Sequence, residues 1–139
     1  MSKSAKVSVR LPERLQQMLG QLARDERRPF SAVIRDLLEE ALRGRRCPGI
    51  AFVDGPTGRR PVIAGTGLEV WEVVKAYKGC GEDFAELKKI YDWLTSQQLR
   101  SALAYWQLYP EEIEEEIACQ EELSEEEARA RYPHLFPLR

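Results

Sequence analysis

The segment Lys6-Val7-Ser8-Val9-Arg10-Leu11-Pro12 alternates strictly between polar and apolar side chains before it reaches a proline. In an extended backbone successive side chains point to opposite faces. The apolar face holds Val7, Val9 and Leu11, and the polar face holds Lys6, Ser8 and Arg10. Pro12 lacks the N–H that a sheet ladder needs, and it suits a first helical turn. The segment therefore predicts a short strand followed at once by a helix.

Two amphipathic helices are expected next, over residues 13–24 and 30–43, with Gly44 as the stop of the second. One strand and two short helices cannot bury a core or satisfy the strand's own edges. The pattern therefore predicts a homodimer in which the strands of two copies pair across a two-fold axis. A paired ribbon would present its polar face twice and would fit the major groove of double-stranded DNA.

Six residues are the candidate DNA contacts. Arginine suits the guanine edge, serine can donate or accept, and the start of the second helix can hold a phosphate. The candidates are Lys6, Ser8, Arg10, Arg27, Arg28 and Ser31. The alternative is a dimer that swaps its strands and never touches DNA.

Residues 6–43 resemble the ribbon-helix-helix repressors. The resemblance is carried by the alternating segment, by Leu11-Pro12-Glu13 and by Phe30-Ser31-Ala32-Val33-Ile34-Arg35. It implies an obligate intertwined dimer that reads operator DNA with its ribbon, with Lys6, Ser8 and Arg10 at the base-reading positions. Pro29 stands near the place where many members have a capping Ser or Thr.

A second small domain is expected after a basic linker at residues 43–49. Two short β-type runs, 50–53 and 61–63, flank a stretch dense in turn residues and predict a hairpin. Helices are predicted over 70–78, 84–91 and 95–109, the last with a Thr95–Gln98 capping box. Gly65 and Gly67 lack the rest of a phosphate-binding pattern, so we interpret them as a turn that needs positive φ.

Residues 50–112 resemble the small bacterial domain of unknown function 433. The matching residues are Pro61-Val62-Ile63-Ala64-Gly65-Thr66, Val70-Trp71, Tyr91 with Leu94-Thr95, and Ala102-Leu103-Ala104-Tyr105. The resemblance implies a helix-turn-helix-like fold and membership in a family whose proteins are often antitoxins. In the third helix, Gln97, Gln98, Arg100 and Ser101 are of types that read base edges, but the neutral charge of the domain favours a solvated or protein-contacting face over DNA.

The charge of −2 hides a gradient along the chain. Residues 1–48 hold 11 basic and six acidic side chains, residues 49–110 hold seven of each, and residues 111–139 hold three basic and ten acidic. A basic front and an acidic tail indicate two partner surfaces of opposite sign. The tail should form a helix over 111–117, begin another at Ser124, and end in an irregular apolar peptide, which either binds a partner or folds back on its own core.

Several classes of protein are disfavoured. No apolar run approaches the roughly 20 residues of a membrane span, and the start lacks a signal peptide, so a cytoplasmic protein without membrane contact is expected. Three isolated cysteines fit a reducing compartment, and the lone His134 has no ligand-spaced companion. No nucleophile–base set and no cofactor motif is present, so we expect neither an enzyme nor a metal or cofactor site.

The sequence therefore predicts a mainly α protein with short β elements in three parts. These are a dimeric ribbon-helix-helix domain at 1–46, a helix-turn-helix-like three-helix domain with a hairpin at 47–112, and an acidic tail at 113–139. The leading hypothesis is a DNA-binding antitoxin that represses its own operon. By resemblance to Vap-type antitoxins, its partner would be a PIN-type ribonuclease toxin, which is metal-dependent and has an acidic active site.

The toxin contacts are assigned to basic and apolar residues within the tail, because glutamates would be repelled by an acidic site. They are Arg129, Arg131, Tyr132, Leu135 and Phe136. One alternative is a stand-alone ribbon-helix-helix repressor whose C-terminal part mediates oligomerisation. Another is an interaction module that has no DNA role.

Overall fold

The computed structural model describes residues 4–55 and 58–135, and in this part of the chain the protein is mainly helical. Its elements, in chain order, are α1 (Glu13–Glu26), α2 (Phe30–Arg46), β1 (Ile50–Gly55), β2 (Gly58–Ile63), α3 (Val70–Gly79), α4 (Phe84–Ile90), α5 (Ser96–Leu108), α6 (Pro110–Arg131) and a 3₁₀ turn (Pro133–Leu135). The chain divides into two compact units, Met1–Arg43 (unit 1) and Gly44–Arg139 (unit 2).

The predicted N-terminal ribbon-helix-helix fold is wrong for this structure. Residues 4–11 form no strand, and the first regular element is α1; among the described residues the sheet consists of β1 and β2 alone, after the N-terminal helices. The physical reason is that a strand needs a backbone partner, and no strand of the described chain pairs with this segment. Val7 and Val9 are consequently 78% and 72% exposed.

Unit 1 consists of α1 and α2 joined by a tight turn at Arg27, whose φ of 54° lies in the left-handed region. Its amide donates to the carbonyls of Ala23 and Arg24 and closes the end of α1. Helix α2 does not stop at Gly44 as predicted but runs on to Arg46. The basic stretch after residue 43 is therefore partly helix, since the long-chain arginines around Gly44 favour it.

After the last turn of α2, unit 2 contains the predicted hairpin, in which β1 pairs antiparallel with β2 from Ile50–Ile63 to Gly55–Gly58. The predicted positive-φ turn follows, with φ of 79° at Gly65 and 69° at Gly67. Between these glycines the Thr66 hydroxyl donates to the Ile63 carbonyl and accepts from the Leu68 amide. The turn thus connects the hairpin to α3.

Helices α3, α4, α5 and α6 pack with the hairpin around one apolar core. The predicted capping box at the start of α5 is present, with Thr95 and Gln98 each accepting from the other's backbone amide. The fully buried side chains of the core include Ile63, Val70, Val73, Val74, Leu87, Leu99, Ala102 and Tyr105. Ile113 and Ile117 of α6 join this core, so the helix begins inside unit 2.

Helix α6 is one continuous element of 22 residues, where the sequence predicted a break at Ser124. Glutamate and alanine dominate this stretch and propagate a helix, and a single serine costs too little to interrupt it. Within residues 4–55 and 58–135, no helix combines the length and the hydrophobicity that a membrane crossing requires.

Candidate functional site

An open apolar groove of about 650 Å³ runs along unit 1. Its lining comes from the N-terminal segment, from the start of α1 and from the first half of α2, and comprises Val7, Val9, Arg10, Leu11, Gln16, Phe30, Ile34 and Leu38. Most of these side chains are apolar and many are exposed. In unit 1 only Ala23 and Val33 are buried among the described residues, and many of its large apolar side chains are exposed.

The predicted base-reading residues lie on the extended segment beside this groove. Lys6, Ser8 and Arg10 are all exposed, and none of them forms a hydrogen bond or ion pair with another described residue. Because no hydrogen bond or ion pair within the described chain involves these three side chains, they are available to an external partner.

The predicted phosphate contacts differ in whether they already form ion pairs within the chain. Arg28 lies 2.5 Å from Asp36 and 3.7 Å from Glu26, so two carboxylates already share its charge. Hydrogen bonding to Asp36 raises the pKa of the Arg28 guanidinium. Arg27 and Ser31 are exposed, and the turn brings both near the start of α2. The sequence contains no pattern that predicts the pairing of Arg28 with Asp36, eight positions later in the chain.

The outward side of α5 holds only part of the set suggested by the sequence. Ser101 is buried and donates to the Gln97 carbonyl at 2.9 Å, while Gln98 is engaged in the capping box. Gln97 and Arg100 are exposed, and the Arg100 guanidinium lies 5.2 Å from the centre of the Phe84 ring.

The predicted toxin contacts cluster at the end of α6. Arg129 pairs with Glu125 at 2.7 Å, whereas Arg131 is exposed. Tyr132 ends the helix, and Leu135 in the following turn is 65% exposed. Phe136 lies outside the described residues. The described members therefore form an exposed end with basic and apolar character.

An ion cluster that the sequence did not reveal fastens α6 to the rest of unit 2. Arg60 on β2 donates to Glu69 at 2.6 Å and also pairs with Glu116 of α6. The Trp71 indole donates to the second oxygen of Glu69 at 2.8 Å. The Arg60 side chain is only 12% exposed, so its charge is compensated mainly by these two carboxylates.

Three further contacts involve two other glutamates of α6, Glu112 and Glu114. Lys78 and the Trp106 indole both donate to Glu114, at 2.5 Å and 3.0 Å, and the Tyr105 hydroxyl donates to Glu112 at 2.9 Å. Hydrogen bonds from Lys78 and Arg60 lower the pKa values of Glu114 and Glu116 respectively. The first turns of α6 thus belong to the body of unit 2.

The described residues hold no group of three or more His, Cys, Asp or Glu side chains arranged to bind a metal ion. Cys47 is buried, Cys80 partly buried and Cys119 exposed, and none of the three forms a disulfide within the described residues.

Residues 54–106 match the model of a family described as a protein of unknown function (DUF433), which supports the resemblance of this part of the chain to that domain. The matched stretch runs from the end of β1 through most of α5, and it includes Arg60 and Glu69 but not α6. No curated protein and no solved structure matches the chain. The resemblances to ribbon-helix-helix repressors and Vap-type antitoxins therefore have no support from the comparisons.

Proposed function

We propose that the protein is a DNA-binding antitoxin that acts as a dimer of unit 1. Residues 4–11 and the turn after α1 would contact the operator, and the end of α6 would bind and inhibit a ribonuclease toxin. The DUF433 domain, of unknown function, is compatible with such a role and connects the two surfaces in the chain.

One observation carries the DNA part of the proposal. Val7 and Val9 line the open groove of unit 1, and so does Arg10, whereas Lys6 and Ser8 do not; all three polar side chains are exposed. A second copy that covers the groove would bury Val7 and Val9 and leave Lys6 and Ser8 of both copies exposed, with the Arg10 guanidinium reaching from the groove to the same surface. Burial of apolar surface would drive the association, at roughly 25 cal/mol per Å².

The toxin part rests on the exposed end of α6. Tyr132 and Leu135 are large apolar residues without cover, next to the exposed Arg131. Aromatic, arginine and well-packed apolar side chains are common anchors of protein interfaces. Because a metal-dependent nuclease has an acidic site, a guanidinium flanked by apolar anchors is a better inhibitor of it than the glutamates of the same helix.

Titration of a duplex from upstream of the gene, followed by fluorescence anisotropy, tests the DNA role. Replacing Arg10 by Ala should weaken binding by about 1–3 kcal/mol and relax sequence preference. Arg14→Ala removes the same charge from an exposed site on α1 and is the matched control. Equal losses in both variants would indicate unspecific electrostatics and would count against Arg10 as a base-reading residue.

A nuclease assay tests the toxin role. A protein that co-purifies with the chain should cleave RNA poorly in the complex, and it should regain activity when the chain carries Tyr132→Ala and Leu135→Ala. Unchanged inhibition by this double variant would exclude the end of α6 as the inhibitory surface. Operator binding without any associated nuclease would instead favour the stand-alone repressor.

A further inference from the structure

The corner between α4 and α5 carries an exposed aromatic surface that neither proposed role uses. Trp93, in the turn before α5, is 61% exposed and meets Tyr91 edge-on with ring centres 6.4 Å apart. Ile90, at the end of α4, is also exposed. We call Ile90 and Trp93, together with Gln97, Arg100 and Ala104 on one face of α5, the corner surface; all five residues are exposed.

The composition of the corner surface fits a protein better than a nucleic acid. Helix α5 contains no acidic residue, and Arg100 is its one cation. Of the neighbouring lysines, Lys89 pairs with Glu86 at 2.9 Å and Lys88 donates to the Asp92 carbonyl. A nucleic-acid surface needs several available cations, whereas a Trp and an Arg amid few charges are typical of protein interfaces.

The chain itself contains an element of complementary chemistry. From Ala118 to Arg131 no residue of α6 is buried, and this outer half carries five glutamates. Leu123 is exposed on it, and Glu126, three residues later, shares its face. The outer half therefore presents an apolar side chain beside carboxylates, which suits a surface holding Trp93 and Arg100.

We infer that the outer half of α6 of one copy docks on the corner surface of a second copy, with Leu123 against Trp93 and Ile90 and Glu126 beside Arg100. The occupant is a second copy because the inner half of α6 is fixed to its own body by Glu112, Glu114 and Glu116. From Ala118 onwards no residue of α6 is buried, so its own unit does not cover the outer half. The inference does not depend on the proposed DNA or toxin role.

Sedimentation velocity of the full-length chain carrying Val9→Asp isolates this contact, because the substitution places a charge in the groove of unit 1. The protein should sediment as a concentration-dependent dimer that weakens as salt is raised. Arg100→Glu and Glu126→Arg should each raise the dissociation constant by about tenfold or more, and the two changes combined should restore association.

Two matched controls carry the same charge changes elsewhere. Lys75→Glu alters an exposed residue of α3, and Glu121→Arg alters the opposite side of α6 from Leu123. Both should leave the dimer intact. Equal effects of Arg100→Glu and Lys75→Glu, a monomeric Val9→Asp chain, or no rescue by the charge exchange would each overturn the inference. If Val9→Asp leaves wild-type self-association unchanged while Arg100→Glu abolishes it, the inference stands and the proposed unit 1 dimer fails.

Discussion

Arg60 joins three elements of unit 2 through one guanidinium. It lies on β2, and its two carboxylate partners come from the residue before α3 and from α6. Charged groups withdrawn from water are stable only while paired, so each partner depends on the others. The residue types were visible in the sequence, but partners nine and 56 positions away in the chain can be identified only once the fold brings them together.

Replacement of Arg60 by Met should destabilise unit 2 by about 3 kcal/mol, because it leaves two carboxylates facing each other without a cation. Arg59→Met on the same strand is the control: Arg59 and its partner Asp54 are well exposed, and such pairs contribute about 0–1 kcal/mol. Urea unfolding followed by tryptophan fluorescence measures both. Similar losses in the two variants would show that the ion cluster contributes no more to the stability of unit 2 than an exposed ion pair does.

Acid should weaken the same unit through Glu114 and Glu116. Their pKa values in the folded state are lowered from 4.5 by Lys78 and Arg60, so their stabilising effect is complete well above 4.5 and is lost as pH falls through the lowered values. The urea midpoint should therefore drop below about pH 5. Glu116→Gln should flatten this dependence, and Glu122→Gln on the exposed part of α6 should not.

Helices α5 and α6 show what a local sequence pattern can and cannot predict about where a helix begins. The start of α5 was predictable because a capping box is a contact between residues three apart. The same pattern at Ser124 and Glu127 predicted a helix start where α6 runs through without interruption. A local pattern cannot tell whether the preceding residues are already helical, and here Ile113 and Ile117 fix the helix from its beginning.

This difference predicts opposite effects for two substitutions of the same kind. Thr95→Ala removes a side chain that accepts from the Gln98 amide, and it should cost about 1 kcal/mol. Ser124→Ala lies inside a helix and should leave stability unchanged or raise it slightly, because alanine is the better helix former. Thermal unfolding followed by circular dichroism compares the two. A loss of similar size at Ser124 would indicate that α6 begins anew there in solution.

At the scale of the whole molecule, the two units differ in how complete they are. Unit 2 encloses a continuous core in one chain, and the sequence predicted its hairpin and its first three helices because each pattern is satisfied within that unit. Unit 1 buries little of its apolar surface, and its alternating segment has no strand partner in the described chain. Such alternation reports which side chains share a face, but whether a strand forms depends on a partner that one chain does not supply.

The proposed dimer predicts that only unit 1 becomes more stable as protein concentration rises. Association favours the folded state of unit 1 by mass action, so the melting temperature of unit 1 should increase with protein concentration. All three tryptophans lie in unit 2, so their fluorescence reports that unit, whereas circular dichroism reports the helices of both. With Glu126→Arg present to remove the proposed α6 contact, the dichroism transition should shift with dilution and the fluorescence transition should not. If the transition of unit 1 does not depend on concentration, no second copy covers its groove. The paired polar surface proposed to bind DNA then does not form.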